Sequence, residues 1–326
     1  MTALTSIKQS LAADIARLNQ VIRTHLLSGN PLMDTVIEQY LTTKGKQIRP
    51  IIVMLCAQIF RPQIDTKVLN AAAAVELLHN ASLIHDDVVD EAKLRRNRPT
   101  VNAVWDNHIA VLVGDFFVST ALQRAIDTAD IRIVEAIGNL GKLLSLGEID
   151  QIYNARQHTL TEDAYFRVIN FKTASLFVAC AQVGCYAVGA DAPTTAKLER
   201  VAELLGLCFQ IRDDIFDYFD ADKVGKPTGN DLREGKVTLP LLHVLHRTDL
   251  PQAAEMMQLV QADQLSDAQI ADLIAFARDN GGVDYAYQRM TELRTEAADI
   301  LASLQRDHLA TAPLLTIFDY IIARDN

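Results

Sequence analysis

Three aspartates lie close together in Asp86-Asp87-Val88-Val89-Asp90, and their spacing suits a metal site. On a helix, Asp86 and Asp90 are one turn apart and face the same way, while Asp87 lies near Asp90 on the adjoining row. Like charges at this spacing destabilise a bare helix, whereas a cation between them removes the repulsion. Oxygen ligands suit Mg²⁺, which takes one or two carboxylates and leaves its other positions to water and substrate phosphate. This motif alone is explained equally well by a solvated acidic face.

A second acidic cluster, Asp213-Asp214-Ile215-Phe216-Asp217, repeats the same spacing in another segment. Most of its neighbours are apolar, and carboxylates in such surroundings are costly to desolvate unless they are paired or metal-bound. Two such helices facing each other would hold metal ions from both sides. The repeat therefore favours a metal site held from two sides over a solvated acidic surface.

Basic residues near these clusters could neutralise diphosphate oxygens. Arg95 and Arg96 follow the first cluster by little more than one turn, and Lys46 and Arg49 lie in the segment GKQIRP. Arginine forks match phosphate oxygens, and lysine supplies a point charge. Lys172 opens a long uncharged segment, which predicts either a buried anionic partner or a side chain that extends to solvent.

The segments that carry these residues predict helices. No Gly or Pro occurs between Gln63 and Arg98, and good helix formers dominate that stretch. One long helix is therefore expected to start after Pro62 and to stop near Pro99. Further helices are expected over 4–27, 32–43, 48–60, 103–127, 131–153, 163–189, 194–219, 232–247, 267–279, 283–305 and 311–323.

Capping residues and the lack of strand-like alternation support a helical fold. Asn30-Pro31 matches an N-cap followed by Pro at the first helical position, and Ser266 with Gln269 matches a capping box. No linker of low complexity divides the chain. We therefore predict an all-α fold, a single large helical bundle around a central cavity, with one domain over residues 1–326.

Composition limits the partners and the compartment. The net charge is −10, and such an acidic chain lacks the basic stripe that nucleic acid requires. Four cysteines form no CxxC pair and lie in apolar segments, which predicts buried thiols in a reducing compartment such as the cytoplasm. Residues 173–190 carry no charge, but their polar and small residues favour a buried helix over a membrane span.

The sequence resembles the trans-prenyl diphosphate synthase family, and within it the octaprenyl diphosphate synthases that make bacterial quinone side chains. The resemblance covers most of the first 242 residues and implies an isoprenoid synthase-like helical fold. The last 80 or so residues carry no usable motif. The segments that carry the resemblance are GKQIRP (45–50), ELLHNASLIHDDVVDEAKLRRNRPT (76–100), LVGDF (112–116), FKTASLF (171–177), FQIRDDIFDY (209–218) and GKPTGNDLREGKVTLPLL (225–242).

The resemblance implies a role for each matching residue. The catalytic aspartates would be Asp86, Asp87, Asp90, Asp213, Asp214 and Asp217, with Asp86, Asp90 and Asp213 binding Mg²⁺. Residues for isopentenyl diphosphate would be Lys46, Arg49, His79 and Arg96. Residues for the allylic diphosphate would be Arg95, Lys172, Thr173, Gln210, Lys226 and Lys236. The family often has Gly after the arginine pair, where this chain has Asn97, which tolerates a left-handed conformation.

The implied reaction is head-to-tail condensation of isopentenyl diphosphate with an allylic diphosphate, with farnesyl diphosphate as the expected primer. In this family the residues four and five positions before the first acidic motif help to set product length. Ser82 and Ala81 occupy those positions, and both are small, which predicts a long, octaprenyl product. The resemblance also implies a homodimer that does not span a membrane but contacts one transiently to release its product.

Three alternatives remain open at this stage, and a fourth is excluded. The first is a shorter-chain synthase that makes geranylgeranyl or farnesyl diphosphate, although short-chain synthases tend to carry an aromatic ring where this chain has Ala81 and Ser82. A class I terpene cyclase would not need the second acidic cluster, and a non-catalytic partner subunit need not keep both clusters. A di-iron carboxylate bundle is suggested by Glu76-Leu77-Leu78-His79, but it needs a second ExxH, which the sequence lacks.

Overall fold

The structure is a computed structural model that describes residues 3–42, 45–95, 97–219, 229–262, 264–304 and 311–324. The prediction of an all-α fold is confirmed, since the regular secondary structure of these residues is helical apart from two strands of two residues each. The helices are α1 (Ala3–Ser10), α2 (Ala12–Leu26), α3 (Pro31–Leu41), α4 (Ile48–Gln58), α5 (Thr66–Val89), α6 (Val101–Val104), α7 (Asn107–Ile126), α8 (Ile131–Gln157), α9 (Glu162–Ile169), α10 (Ser175–Ala187), α11 (Ala192–Phe216), α12 (Asn230–Arg233), α13 (Leu239–Leu245), α14 (Ala253–Leu259), α15 (Asp267–Asp279), α16 (Gly282–Ala302) and α17 (Thr311–Ala323). A π-helix, Asn170–Ala174, joins α9 to α10, and the strands are β1 (Leu94–Arg95) and β2 (Arg98–Pro99).

The chain divides into two compact units that alternate along the sequence. The first unit comprises Met1–Lys142, Leu176–Glu199 and Gln305–Leu314. The second comprises Leu143–Ser175, Arg200–Leu304 and Leu315–Asn326. The predicted single domain over 1–326 stays a prediction.

Helix α5 is the centre of the first unit. It packs most extensively against α7, and also against α4 and α2. Its residues from Val68 to Val75 are all buried, and all but Asn70 are apolar, so that this part of the helix is buried around its whole circumference rather than along one stripe. Gly114 on α7 leaves room for the imidazole of His85 on α5, because a Cβ at this glycine would lie 2.1 Å from Nε2 of His85.

Helix α13 holds the second unit together. It packs against α16, α15, α14 and α9. The approach to α16 depends on Gly282, where a Cβ would lie 2.1 Å from the carbonyl oxygen of Pro240. The predicted capping box at the start of α15 is confirmed, since the hydroxyl of Ser266 accepts from the backbone N–H of Gln269, whose side chain accepts from the backbone of Ser266.

The expected end of the long helix near Pro99 is wrong. Helix α5 stops at Val89, and β1 pairs antiparallel with β2 in a short hairpin. Glu91 follows in the left-handed region with φ 50°, the N–H of Ala92 bonds the carbonyl of Asp87 at 2.9 Å, and the N–H of Glu91 bonds the carbonyl of Val88. These bonds form a Schellman cap, which ends a helix even without glycine.

Two smaller predictions are also confirmed. The side chain of Asn30 accepts from the backbone N–H groups of Leu32 and Met33, as expected of an N-cap. Asn97 at the hairpin turn has φ 60°, the left-handed conformation that its residue type tolerates. The prediction for 232–247 was too simple, because this stretch holds the end of α12 and all of α13, with a break between them, and α14 was not predicted.

The apolar helices and the cysteines agree with the composition. Two helical stretches, Asn107–Ile126 and Glu162–Ala187, are long and apolar enough to cross a membrane, and 44% and 67% of their apolar windows are buried in the structure. Since core helices of soluble proteins meet the same criterion, these stretches are weak evidence for a span. All four cysteines are buried and free, as predicted.

Candidate functional site

The first acidic cluster lies in the first unit, at the end of α5. Asp86 is on the last turn of the helix and is half-buried, while Asp90 is the C-cap residue and is exposed. The N–H of Asp90 bonds the carbonyl of Asp86 at 2.8 Å, so the two residues are one turn apart as the spacing predicts. Both carboxylates are therefore reachable from solvent.

Asp87 has a different environment from its two neighbours. It is 5% exposed, and its Oδ1 accepts from Nε of Arg95 at 2.8 Å. Burial raises the pKa of Asp87 above its usual value, while the Arg95 guanidinium opposes that shift. The carbonyl of Asp87 also accepts from Nδ2 of Asn102 at 3.1 Å. Asp87 thus ties the hairpin that carries Arg95 to the end of α5.

The second acidic cluster lies in the second unit, at the end of α11. Asp214 is 5% exposed and accepts from the hydroxyl of Tyr165 at 2.6 Å and from Nε2 of Gln210 at 2.8 Å. Burial raises the pKa of Asp214, and the nearby Asp231 raises it further, whereas the two hydrogen bonds lower it. The preceding Asp213 has a side chain that is 41% exposed.

The two clusters therefore share an asymmetry that their spacing does not reveal. In each, the first aspartate is accessible, and the second is buried and held by internal donors. The third aspartate of the second cluster, Asp217, accepts hydrogen bonds from the backbone: its carboxylate bonds the N–H groups of Asn230 at 3.1 Å and Asp231 at 3.0 Å. It thereby fixes the start of α12.

A cavity of about 210 Å³ in the second unit brings together several predicted diphosphate ligands. Of the residues assigned to the allylic diphosphate, Lys172, Thr173, Gln210 and Lys236 line it, together with Asp214. The hydroxyl of Thr173 donates to Oε1 of Gln210 at 2.7 Å, which directs the amide NH₂ of Gln210 towards Asp214. The cavity wall is thus a connected polar network with two lysines.

Lys172 has an anionic partner, one of its two predicted alternatives, but both side chains of the pair are partly exposed. Its Nζ lies 2.5 Å from a carboxylate oxygen of Glu148 and donates to Oε1 of Gln151 at 3.3 Å. The residue lies in the π-helix, a feature that is often found at functional sites. Gly147 makes room for this segment, because a Cβ there would lie 2.6 Å from the backbone nitrogen of Lys172.

Two residues of the second unit were missed by sequence reasoning. Tyr165 is buried among the cavity residues, and no local pattern connects it to Asp214. Asp231 also lines the cavity, and burial raises its pKa to about 7, with Asp217 adding to the shift and Lys236 opposing it. Asp231 lies inside one of the segments that carry the family resemblance, so that segment could have identified it.

The residues predicted for isopentenyl diphosphate lie in the first unit. Lys46 is exposed, and Arg49 on α4 has its guanidinium 5.6 Å from the ring centroid of Phe177. His79 on α5 is buried. Gln47, between the two basic residues, has φ 51° and donates to Oδ1 of Asn19 at 2.8 Å, which fixes this turn.

The remaining predicted residues are the two assigned to product length and two assigned to the diphosphates. Ala81 is fully buried on α5, and Ser82 is half-buried with its hydroxyl bonded to the carbonyl of His79 at 2.9 Å. Arg96 and Lys226 lie outside the described residues.

No group of three or more His, Cys, Asp or Glu side chains within the described ranges is arranged to hold a metal ion. Asp86 and Asp90 belong to the first unit and Asp213 to the second. The chemistry of the donors fits Mg²⁺, because all three are carboxylates that solvent reaches. The metal site stays a prediction.

Comparison with known proteins gives long matches. The family described as "Polyprenyl synthetase" matches residues 30–277. Octaprenyl diphosphate synthase of Haemophilus influenzae is 33% identical over 305 residues, which cover 93% of this chain and 92% of that protein. A decaprenyl diphosphate synthase from Rhodobacter capsulatus has a similar crystal structure, with a TM-score of 0.91, 33% identity and 99% of each chain covered. A polyprenyl synthase from Caulobacter crescentus, crystallised with calcium and isoprenyl diphosphate, has a TM-score of 0.89 at 28% identity, with 99% of this chain and 98% of that chain covered. Both acidic clusters and every residue that lines the cavity lie within the residues that the family matches.

Proposed function

The chain belongs to the polyprenyl synthetase family, and we propose that it is a long-chain trans-polyprenyl diphosphate synthase. It adds isopentenyl diphosphate units head-to-tail to an allylic diphosphate, with farnesyl diphosphate as primer and octaprenyl diphosphate, a precursor of quinone side chains, as product. The observation that carries this proposal is the cavity of the second unit, where Lys172, Thr173, Gln210 and Lys236 lie beside Asp214. Two lysines and a hydrogen-bonding wall suit a diphosphate.

The proposed cofactor is Mg²⁺, held by Asp86, Asp90 and Asp213. The calcium and isoprenyl diphosphate in the Caulobacter crescentus enzyme support a divalent cation in this family. When bound, Mg²⁺ supplies positive charge that stabilises the departing diphosphate. The buried Asp87 and Asp214 hold the ends of their helices in place and so orient the accessible aspartates beside them.

The basic residues divide between two diphosphates. Lys172 and Lys236, with Arg95 and Lys226, neutralise the charge that develops as the allylic C–O bond ionises. Thr173 and Gln210 orient that diphosphate by hydrogen bonds. The carbocation is attacked by the double bond of isopentenyl diphosphate, and the released diphosphate accepts the proton that is lost.

Lys46, Arg49, His79 and Arg96 hold the diphosphate of isopentenyl diphosphate. Because water would quench the carbocation, the enzyme acts mainly by positioning its two substrates and excluding solvent. No protein nucleophile is required by this chemistry.

Product length is proposed to depend on Ala81 and Ser82, which are small and lie on the same helix as the first acidic cluster. Ala81 is fully buried on that helix. A small side chain at this position leaves room for a growing apolar tail, whereas an aromatic ring would block it. The small side chains of Ala81 and Ser82 therefore favour the octaprenyl product over a shorter one.

The proposed assembly is a homodimer formed through one face of α7. Apolar side chains at Val111, Val118, Leu122 and Ile126 follow helical spacing, and all are exposed. An exposed apolar stripe of this kind marks an interaction surface. The four buried, free thiols fit a cytoplasmic location, and the apolar product calls for transient contact with a membrane at release.

The experiment that tests the proposal combines the purified protein with farnesyl diphosphate, labelled isopentenyl diphosphate and Mg²⁺, and sizes the dephosphorylated products by chromatography. We expect octaprenol. Lys172→Gln should lower turnover, while Lys142→Gln, which changes an exposed lysine on α8, should not. Geranylgeraniol as the end product would establish a shorter-chain synthase, and a cyclic hydrocarbon from farnesyl diphosphate alone would establish a terpene cyclase.

A further inference from the structure

Arg324, directly after the last described helix, reaches the second acidic cluster. Its side chain is 7% exposed and forms an ion pair with Oδ1 of Asp213. It also donates to the carbonyl oxygen of Phe209 at 3.2 Å, and its guanidinium lies 4.3 Å from the ring centroid of Phe209. The last part of the chain, which carries no sequence motif, therefore contacts the first aspartate of the cluster.

The contact is reinforced from the opposite direction. Arg212, the residue before Asp213, donates through Nε to the carbonyl oxygen of Arg324 at 2.9 Å. The Arg212 guanidinium lies 4.7 Å from the ring centroid of Phe216 and 5.1 Å from that of Tyr287. Arg212 and Arg324 thus both join the end of α17 to α11 beside Asp213. Each guanidinium lies over an aromatic ring, and such a contact stabilises the cation.

We propose that Arg324 is a positioning residue for Asp213: it holds the carboxylate in the orientation in which it binds the divalent cation. The inference rests on the proposed function. Asp213 is 41% exposed, so its orientation is not fixed by burial, whereas its partner is almost completely enclosed. An enclosed guanidinium that bonds one oxygen of an accessible carboxylate restricts the rotation of that carboxylate. Groups that orient a metal ligand in this way typically change metal affinity by about 10–100-fold when removed.

The rival explanation is an ion pair that only fastens α17. The chain offers a matched control for it, because Arg294 on α16 pairs with Asp319 on α17 at 3.0 Å, and both side chains are partly exposed. This pair joins the same helix to α16. Loss of a partly exposed pair has little effect on stability and gives no reason for a change in metal binding.

The experiment measures the Mg²⁺ concentration that half-saturates the rise in melting temperature at a fixed concentration of inorganic diphosphate. Wild type, Arg324→Gln, Arg324→Lys and Arg294→Gln are compared, and unfolding in EDTA is recorded for each. We expect Arg324→Gln to raise the half-saturating concentration by about 10–100-fold, Arg324→Lys to restore part of the loss, and Arg294→Gln to match wild type.

An Arg324→Gln protein that is less stable in EDTA but has the wild-type half-saturating concentration would overturn the inference. The same holds if Arg294→Gln shifts that concentration equally. If Arg324→Gln does not fold, Arg324→Met, which keeps an apolar side chain beside the ring of Phe209, is judged by the same criterion. If the wild type makes polyprenols and the variants have an unchanged Mg²⁺ requirement, only the positioning role is refuted. If the wild type shows no Mg²⁺-dependent shift in melting temperature and makes no product, the proposed function is refuted as well.

Discussion

Replacing Tyr165 with phenylalanine tests whether Asp214 depends on its internal donors. The change keeps the ring and removes the hydroxyl, which donates to Asp214 at 2.6 Å and leaves Gln210 as the other side-chain donor. Because Asp214 is buried, loss of one donor to a carboxylate should lower the free energy of unfolding by about 1–3 kcal/mol. Tyr40→Phe is the matched control, since its hydroxyl donates to the neutral amide oxygen of Asn80, and we expect about 0.5–1.5 kcal/mol there.

The pH dependence of this effect follows from the sign of the pKa shift. The Tyr165 hydrogen bond lowers the pKa of Asp214, so its stabilising contribution is present when Asp214 is ionised and falls as the pH drops through that pKa. Urea unfolding in EDTA, at one pH above and one pH below the pKa of Asp214 as titrated in the wild type, should therefore show a larger loss for Tyr165→Phe at the higher pH. A loss no larger than that of Tyr40→Phe, or one that is the same at both pH values, would refute this account of Asp214.

Three further predictions concern other parts of the site. Ala81→Phe should give active enzyme with shorter products, measured by chromatography; a mutant with unchanged product length, destabilised by about 1–3 kcal/mol from overpacking, would show that the position is only a packing contact. Lys46→Ala should mainly raise KM for isopentenyl diphosphate, and an effect confined to the allylic substrate would reverse the assignment of the two diphosphates. Asp231 has its pKa raised to about 7 from 3.8, so the native state binds more protons than the unfolded state between these values, and stability should fall as pH rises through this range. Asp231→Asn should remove that fall in urea unfolding without metal, and an unchanged pH profile would argue against the buried carboxyl.

The sequence predicts the helices well and their ends less well. The absence of Gly and Pro correctly indicated a long helix before the first acidic cluster, because helix propensity acts residue by residue. Its end was misplaced because Glu91 adopts φ 50° in a Schellman cap, a position where glycine is the usual signal. The hairpin that follows carries Arg95, which the buried Asp87 holds in place. The cap at Glu91 and the ion pair between Asp87 and Arg95 thus outweigh the helix propensity of these residues.

The sequence predicts which types of residue form the candidate site, but it does not distinguish the accessible aspartates from the buried ones. Adjacent aspartates such as Asp213 and Asp214 look equivalent in the sequence, and only the structure shows one accessible and one buried. Their partners are distant along the chain, with Tyr165 49 residues before Asp214 and Arg324 111 residues after Asp213. Spacing rules describe neighbours on one helix, so they give no information about such partners.

The accessible aspartates are proposed to act through Mg²⁺ on the diphosphate, and measuring elongation against Mg²⁺ concentration tests this role. Wild type, Asp86→Asn and the control Glu135→Gln, which changes an exposed residue of α8, are compared, with circular dichroism in EDTA to confirm folding. We predict that EDTA abolishes elongation in folded protein, that Mg²⁺ restores wild type and Glu135→Gln equally, and that Asp86→Asn stays slower by about 10²-fold or more. Full elongation in EDTA, or an Asp86→Asn enzyme with the rate and Mg²⁺ requirement of wild type, would show that these aspartates do not act through Mg²⁺.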